Sequence, residues 1–440
     1  MNTPVIDFLN NYAESDMLRC HMPGHKGRGL DLISSACDIT EVSGADSLFE
    51  ADGIIAEGER NMSKLYGSAA TVWSAGGSTL CIQAMLAIMK REGRRVLAVR
   101  NVHRAFLNAA ALLGLEVEWL IPEYRNGILS GSVDIAAAEA ALRGFGEDAA
   151  CLYVTSPDYT GRMADIPALA GICHKYDARL IVDNAHGAHL AFMPENCHPI
   201  ALGADMCCDS AHKMLPAITG AAMLHTSRPE YTGLLKSAMG LFGSTSPSYL
   251  IMASLDSCCK YISEDIRGDI AANLGLLQKF RAHFSGRLAF ADGDLFHITV
   301  CAGESGYNGN ELAQLLRENG CECEYSDSSL VILLMSPVNT ADDYERLTAA
   351  LEKSLSLAER HAPVSDELRL ELPEKAMPIR DAVFAPCEDI PVEQAEGRIC
   401  GAVKVPCPPA VPIAASGEII DRNCINIFKR YGIFTVNVVK

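Results

Sequence analysis

The sequence predicts an α/β protein, with a large domain on a mostly parallel sheet, a smaller α+β domain and a C-terminal unit. Three observations predict it. Between about residues 65 and 225, short continuous apolar runs alternate with helix-patterned stretches. Such runs are strands buried on both faces, and helical crossovers between them make neighbours parallel. Residues 290–360 repeat the mixture on a smaller scale, and the charged, proline-punctuated segment 361–378 reads as a linker.

The strand candidates of the large domain are 96–99, 151–154, 180–182, 206–208 and 221–224, rich in Val, Leu, Ile and Cys. Helical patterning covers 80–91 and 166–176 between them. Residues 247–285 read as helical, entered through Ser246-Pro247-Ser248. In the smaller domain a strand is expected at 330–334 and a helix at 311–318. The tail carries Pro406-Cys407-Pro408-Pro409 and Pro412 and ends on a strand-like run at 434–439. The division is therefore an N-terminal segment 1–30, a large domain 31–256, a small α+β domain 257–360, and a linker with C-terminal domain 361–440.

Composition narrows the function classes. The 440 residues include 37 basic and 55 acidic ones, a formal net charge of −18, with 49% hydrophobic residues. That is an ordinary globular composition, and its charge repels polyanions, so neither nucleic acid nor an anionic membrane surface is an expected partner. No apolar run approaches the roughly 18 residues of a membrane span. Met1 to Asp7 lacks a basic region followed by an apolar core, so no secretory signal is read and a cytoplasmic location is expected. The 17 cysteines contain no CxxC pair and read as free thiols. Neither Cys20/His21/His25 nor Cys321/Cys323 has four-ligand spacing, so no metal is expected.

Chemistry concentrates where strands end. Asp183 follows the apolar run 180–182, at the sheet edge where α/β ligands lie. Ser210-Ala211-His212-Lys213 closes the run at 206–208, 30 residues beyond Asp183, the room needed for one crossover. A lysine and a carboxylate so placed match the needs of pyridoxal 5′-phosphate: an amine for the Schiff base and an acid to keep the ring nitrogen protonated. The phosphate needs donors at a helix start, which Gly76-Gly77-Ser78-Thr79 before the helical 80–91 supplies, with Ser210 and His212 as further donors. His103, after the strand at 96–99, is placed to stack on the ring.

These residues, with His21-Met22-Pro23-Gly24-His25-Lys26-Gly27, Asp183-x-Ala185-His186-Gly187-Ala188-His189, Arg100-Asn101-x-His103 and Ser246-Pro247-Ser248-Tyr249, resemble the ornithine/lysine/arginine decarboxylases. Gly306-Tyr307-x-Gly309, Arg380-Asp381-Ala382-Val383-Phe384, Glu396-Gly397-Arg398-Ile399 and Pro408-Pro409-Ala410-Val411-Pro412 extend the resemblance, which runs from about residue 20 to 420. The resemblance implies a fold type I, PLP-dependent transferase-like large domain, and the short N-terminus is similar to the compact bacterial branch. It implies Lys213 for the Schiff base, Asp183 on the pyridinium, His103 stacked, and Ala185 and His186 beside the ring. Gly77, Ser78, Thr79, Ser210 and His212 would hold phosphate. It also implies a homodimer with active sites at the subunit interface, and places His25 and Lys26 near such a site.

There are departures. The family usually has Asp-Glu-Ala-His where this chain has Asp183-Asn184-Ala185-His186, and Ser-Thr-His-Lys-Thr where it has Ser210-Ala211-His212-Lys213-Met214. Asp158 stands where a threonine is common, and Pro408-Pro409-Ala410-Val411-Pro412 replaces Pro-Pro-Gly-Ile-Pro.

The expected activity is decarboxylation of lysine, ornithine or arginine to the amine, with Lys213, Asp183 and His212 catalytic. Choosing decarboxylation over proton loss is a matter of orienting the Cα–carboxylate bond. His212 or Lys213 would return a proton to Cα. The substrate's distal cation needs a carboxylate, for which Asp46, Glu50, Glu324 and Asp327 are unranked candidates. Another fold type I reaction, such as transamination or a lyase step, would use the same cofactor residues. A non-catalytic PLP-binding relative is the third alternative, against which the presence of both Lys213 and Asp183 argues.

Overall fold

A computed structural model describes residues 14, 16–26, 28, 39–125, 127–146, 150–365, 368–402 and 411–440. Its centre is a seven-stranded sheet of β1 (Ala70–Ser74), β2 (Arg95–Val99), β3 (Val117–Leu120), β4 (Ala150–Thr155), β5 (Arg179–Asp183), β6 (Met206–Asp209) and β7 (Ala222–Thr226). The spatial order is β1-β7-β6-β5-β4-β2-β3. Strands β3, β2, β4, β5 and β6 pair in parallel, and β7 runs antiparallel to both its neighbours. The exception has a simple cause. Only a four-residue helix, Ala211–Met214, and a turn separate β6 from β7, too short for the crossover that parallel neighbours need.

Each central strand is buried on both faces, as its continuous apolar run requires. Val96, Ala98, Cys151, Tyr153, Ile181 and Cys208 face the helices Gly77–Arg91 and Arg104–Leu113. Leu97, Val99, Leu152, Val154, Leu180 and Val182 face Ile135–Gly144 and Ile166–Lys175. At roughly 1.5–3 kcal/mol per fully buried aliphatic side chain, this period-two alternation over two helical layers is the main force holding the sheet. The long helical stretch divides at Asp265 into Tyr249–Glu264 and Ile266–Phe284, and the first of these helices runs through position 256.

The smaller sheet has β8 (Ala289–Phe290), β9 (His297–Cys301), β10 (Tyr325–Ser326) and β11 (Leu330–Leu334), ordered β8-β9-β11-β10 and antiparallel. Its apolar residues join those of the two long helices and Ala341–Leu357 in one core. Leu18–Cys20 pairs in parallel with Cys321–Cys323, which fastens the N-terminal segment to this domain. At the C-terminus Cys387–Pro391 and Thr435–Val439 form an antiparallel pair over the helix Arg422–Arg430. Of the proline-rich motif in the tail, residues 408–410 lie outside the described residues, as do much of 1–30 and Gly27. No disulfide joins the described cysteines, and no helix of the described residues is long and apolar enough to cross a membrane.

Candidate active site

The strands β1, β2, β4, β5 and β6 end on the same side of the sheet, and the residues after them wall a cavity of about 620 Å³. β5 delivers Asp183, Ala185 and His186; β6 delivers Ser210, His212 and Lys213; β4 delivers Thr155, Asp158 and Tyr159. β2 delivers Asn101 and His103, and β1 delivers Gly77, Ser78 and Thr79. The smaller domain closes the far side with Glu322 and Glu324, and the N-terminal segment with His21 and Met22.

Asp183 is 2% exposed. Its carboxylate accepts from the Tyr153 hydroxyl at 3.2 Å and the Ala185 N–H at 3.2 Å. Burial pushes its pKa up, and the Lys213 ammonium pulls it back. Lys213 Nζ lies 3.0 Å from His186 Nε2. Burial, then the neighbouring Lys213 charge, hold His186 well below the usual imidazole range, so it is neutral.

His103 caps the helix Arg104–Leu113: its Nδ1 accepts the Ala105 N–H at 3.1 Å, so its proton sits on Nε2. Burial, then Lys213, pushes it down to about 4. His212 has the opposite tautomer, because Nδ1 donates to the Ala221 carbonyl at 2.9 Å. Burial pushes it down to about 4 as well, so its Nε2 is an acceptor at neutral pH.

The helix Gly77–Arg91 begins at Gly77 with φ +68°, a conformation glycine adopts without strain. The Ser210 hydroxyl reaches the Ser78 hydroxyl at 2.9 Å, joining two of the expected phosphate donors. Ala211 and Met214, where threonines are usual, are buried in the core and offer no hydroxyl. Asn184 turns away from the cavity and donates to Asp209 at 2.6 Å. Asp209 also lies 3.1 Å from His198 and 3.3 Å from His225, and with Cys207 and His198 forms a compact buried group that sequence spacing did not reveal. Asp158 accepts from the Thr160 N–H and hydroxyl and from the Arg162 N–H, closing the turn after β4. Arg100, fully buried, pairs with Glu418 at 2.7 Å and ties the C-terminal domain to the strand end that carries His103.

Of the four carboxylates proposed for a distal cation, only Glu324 lines the cavity. Its oxygens accept from the Tyr159 hydroxyl at 2.8 Å and the Met22 N–H at 2.9 Å, and each keeps a lone pair. Asp46 instead accepts backbone N–H groups of Ser47, Asp52, Gly53 and Ile55 at the entry to the helix Ile54–Tyr66. Asp327 accepts those of Ser329 and Leu330, and Glu50 is exposed outside the cavity. His25 and Lys26 do not line the cavity in this chain; His21 and Met22 of the same segment do. Lys26 is buried and donates to the His21 and Leu334 carbonyls. Tyr153, Tyr159 and Glu322 were not singled out from sequence. Tyr153 could have been found by its register one strand away from Asp183, where Tyr153 faces Ile181 and Thr155 faces Asp183.

Two features fit a cofactor with a cationic ring nitrogen and an oxygen-bearing ring. The Asp183 carboxylate is buried at the cavity wall. The buried Thr155 hydroxyl, also at the wall, has no hydrogen-bond partner among the described residues.

A family model described as "Orn/Lys/Arg decarboxylase, major domain" matches residues 3–301. The chain is similar to an arginine decarboxylase of Bacillus subtilis (strain 168), 28% identical over 457 residues, covering 97% of this chain and 93% of that one. In fold it is similar to lysine decarboxylase A from Pseudomonas aeruginosa, with TM-score 0.76 and 18% identity over 92% of this chain and 74% of that one. It is also similar to a serine palmitoyltransferase from S. paucimobilis solved with bound PLP, at TM-score 0.57 and 12% identity over 71% of this chain and 80% of that one. The fold is that of the type I PLP-dependent enzymes.

Proposed function

The chain belongs to the Orn/Lys/Arg decarboxylase family, and from that premise we propose that the cavity holds pyridoxal 5′-phosphate and removes the α-carboxyl group of a basic amino acid, arginine first among them. The supporting observation is that Lys213 and Asp183 wall one cavity with Ser78, Thr79 and Ser210. The name of the B. subtilis relative supports arginine.

When bound, the cofactor supplies an electron sink for the pair released as carbon dioxide leaves. Lys213 would carry it, and Asp183 would hold a proton at its ring nitrogen. His103 would lie against the ring, with Ala185 and His186 beside it, and Gly77, Ser78, Thr79, Ser210 and His212 would hold the phosphate. A phosphate ligand requires His212 to take up a proton at Nε2, which an adjacent anion favours. Met22, Leu129 and Val411 line the cavity with apolar surface and exclude water. Lys213 Nζ supplies the proton that Cα takes up. Glu324 receives the substrate's distal cation through the lone pairs that Tyr159 and Met22 leave unused, which positions the α-carboxyl group at a fixed distance from it. A homodimer in the cytoplasm is the expected setting, and sedimentation tests the assembly.

The deciding experiment incubates PLP-loaded protein separately with L-arginine, L-lysine and L-ornithine and measures amine and carbon dioxide. Amine from at least one, fastest from arginine and absent in Lys213→Ala, is the expected result. A keto acid, or no product from all three, overturns the proposal.

A further inference from the structure

The imidazole that meets Lys213 is itself held from behind. His186 Nδ1 lies 3.1 Å from His297 Nε2, and His297 Nδ1 lies 2.8 Å from Asp294 Oδ2. His189 Nε2 approaches the same carboxylate oxygen at 3.1 Å. The side chains of His189, Asp294 and His297 are completely buried. Asp294 and His297 sit at the entrance to β9 in the smaller domain, so the chain of contacts crosses from that domain to the lysine of the larger one. The Tyr159 ring meets His186 edge-on, at 5.3 Å between centroids, and limits its rotation.

With His297 neutral, the hydrogen bonds along this chain fix where each proton sits. An ionised carboxylate only accepts. Burial alone would raise the Asp294 carboxyl, yet His189 and His297 hold it well below the usual range. His297 therefore carries a proton on Nδ1, and in its neutral form presents a lone pair at Nε2. His186 then carries its proton on Nδ1, and its Nε2 lone pair faces Lys213.

We propose that Asp294 and His297 are positioning residues that fix His186 as a hydrogen-bond acceptor toward Lys213. The inference rests on the reading that Lys213 captures PLP. A nucleophilic amine attacks with its lone pair. His186 protonated on Nε2 would donate to that lone pair and occupy it, whereas His186 protonated on Nδ1 accepts an N–H of the lysine and leaves the lone pair available. A carboxylate that selects the productive tautomer of a neighbouring imidazole acts by the same logic in serine-protease triads.

The test begins with cofactor-free protein carrying ¹⁵N-labelled histidine. Long-range proton–nitrogen correlation should show neutral His186 protonated on Nδ1. The second measurement is the rate at which the same protein, mixed with PLP, develops Lys213-dependent absorbance. In His297→Leu, His186 should shift toward Nε2 protonation and capture should slow roughly tenfold or more. His297→Gln offers a carboxamide oxygen to His186 and an N–H to Asp294, so it should keep the native tautomer and recover most of the rate. Asp294→Asn should behave like His297→Leu. His186 protonated on Nε2 in the native protein, or a His297→Gln variant as slow as His297→Leu, overturns the inference. If His297→Leu fails to fold, the native spectrum and the His297→Gln rate still decide. Absence of Lys213-dependent absorbance in the native protein would overturn the PLP reading instead, while the tautomer is read without any cofactor.

Discussion

Replacing Lys26 by methionine should change how stability depends on pH, by an amount that its surroundings set. The side chain is 6% exposed, and its ammonium donates to the His21 carbonyl at 2.7 Å and the Leu334 carbonyl at 2.6 Å. Burial lowers its pKa from 10.5 to about 8, against the opposing influence of Cys20, Glu324 and Asp343. In the unfolded chain the lysine keeps its proton to about pH 10.4. Below pH 8 both states are protonated, and the desolvation cost is present in full. Between pH 8 and 10.4 the unfolded chain binds more protons than the folded one, so this group's contribution to stability rises with pH. The gap of about 2.5 units corresponds to about 3 kcal/mol in all, and to roughly 2–3 kcal/mol by pH 10. Methionine abolishes the titration and leaves two carbonyls without their donor, a penalty of about 1–3 kcal/mol each that does not vary with pH. Urea unfolding of both proteins from pH 7 to 10 should therefore show the native advantage growing by about 2–3 kcal/mol. The difference is the readout, because burial raises the pKa of thiols and phenols such as Cys151 and Tyr153, which lowers the stability of both proteins at high pH alike. A difference that stays flat across this range refutes the reasoning.

Glu324→Gln keeps the size of the side chain but removes the charge, so kcat/KM for the preferred basic amino acid should fall about 30-fold, or about 2 kcal/mol, while the rate of PLP capture is unchanged. Unaltered steady-state kinetics would remove Glu324 from substrate recognition. Gly24→Ala puts a Cβ 2.6 Å from the Lys213 carbonyl oxygen and 2.9 Å from that of Leu215. Neither backbone atom can step aside, so calorimetry should show a loss of about 1–3 kcal/mol, and turnover should fall with it; a variant as stable as the native protein would mean the segment can move off Lys213.

The central strands are legible in the sequence because burial on both faces demands a continuous apolar run, and 330–334 reads as strand for the same reason. β9 is different. Its sequence His297-Ile298-Thr299-Val300-Cys301 alternates polar and apolar, which normally marks one solvated face, yet both polar residues are buried. Their polar atoms are satisfied instead: His297 by Asp294, and the Thr299 hydroxyl by the Thr160 carbonyl at 2.8 Å. Satisfaction by a residue 139 positions away leaves no local trace. The same distinction separates the four carboxylates that the sequence leaves unranked. Asp46 and Asp327 are consumed by backbone N–H groups within ten residues of themselves, a use that nearby turn residues announce. Glu324 takes its partners from Tyr159 and Met22, 165 and 302 positions away, and it is the one that reaches the cavity. An acidic side chain without a local turn to close is free to be spent on tertiary contacts, and Glu324 spends its own at the cavity that Lys213 also lines. The strand-end rule finds Asp183 and Lys213 because their backbone places them there; it cannot find Glu324 or His297, whose positions depend on how the smaller domain docks.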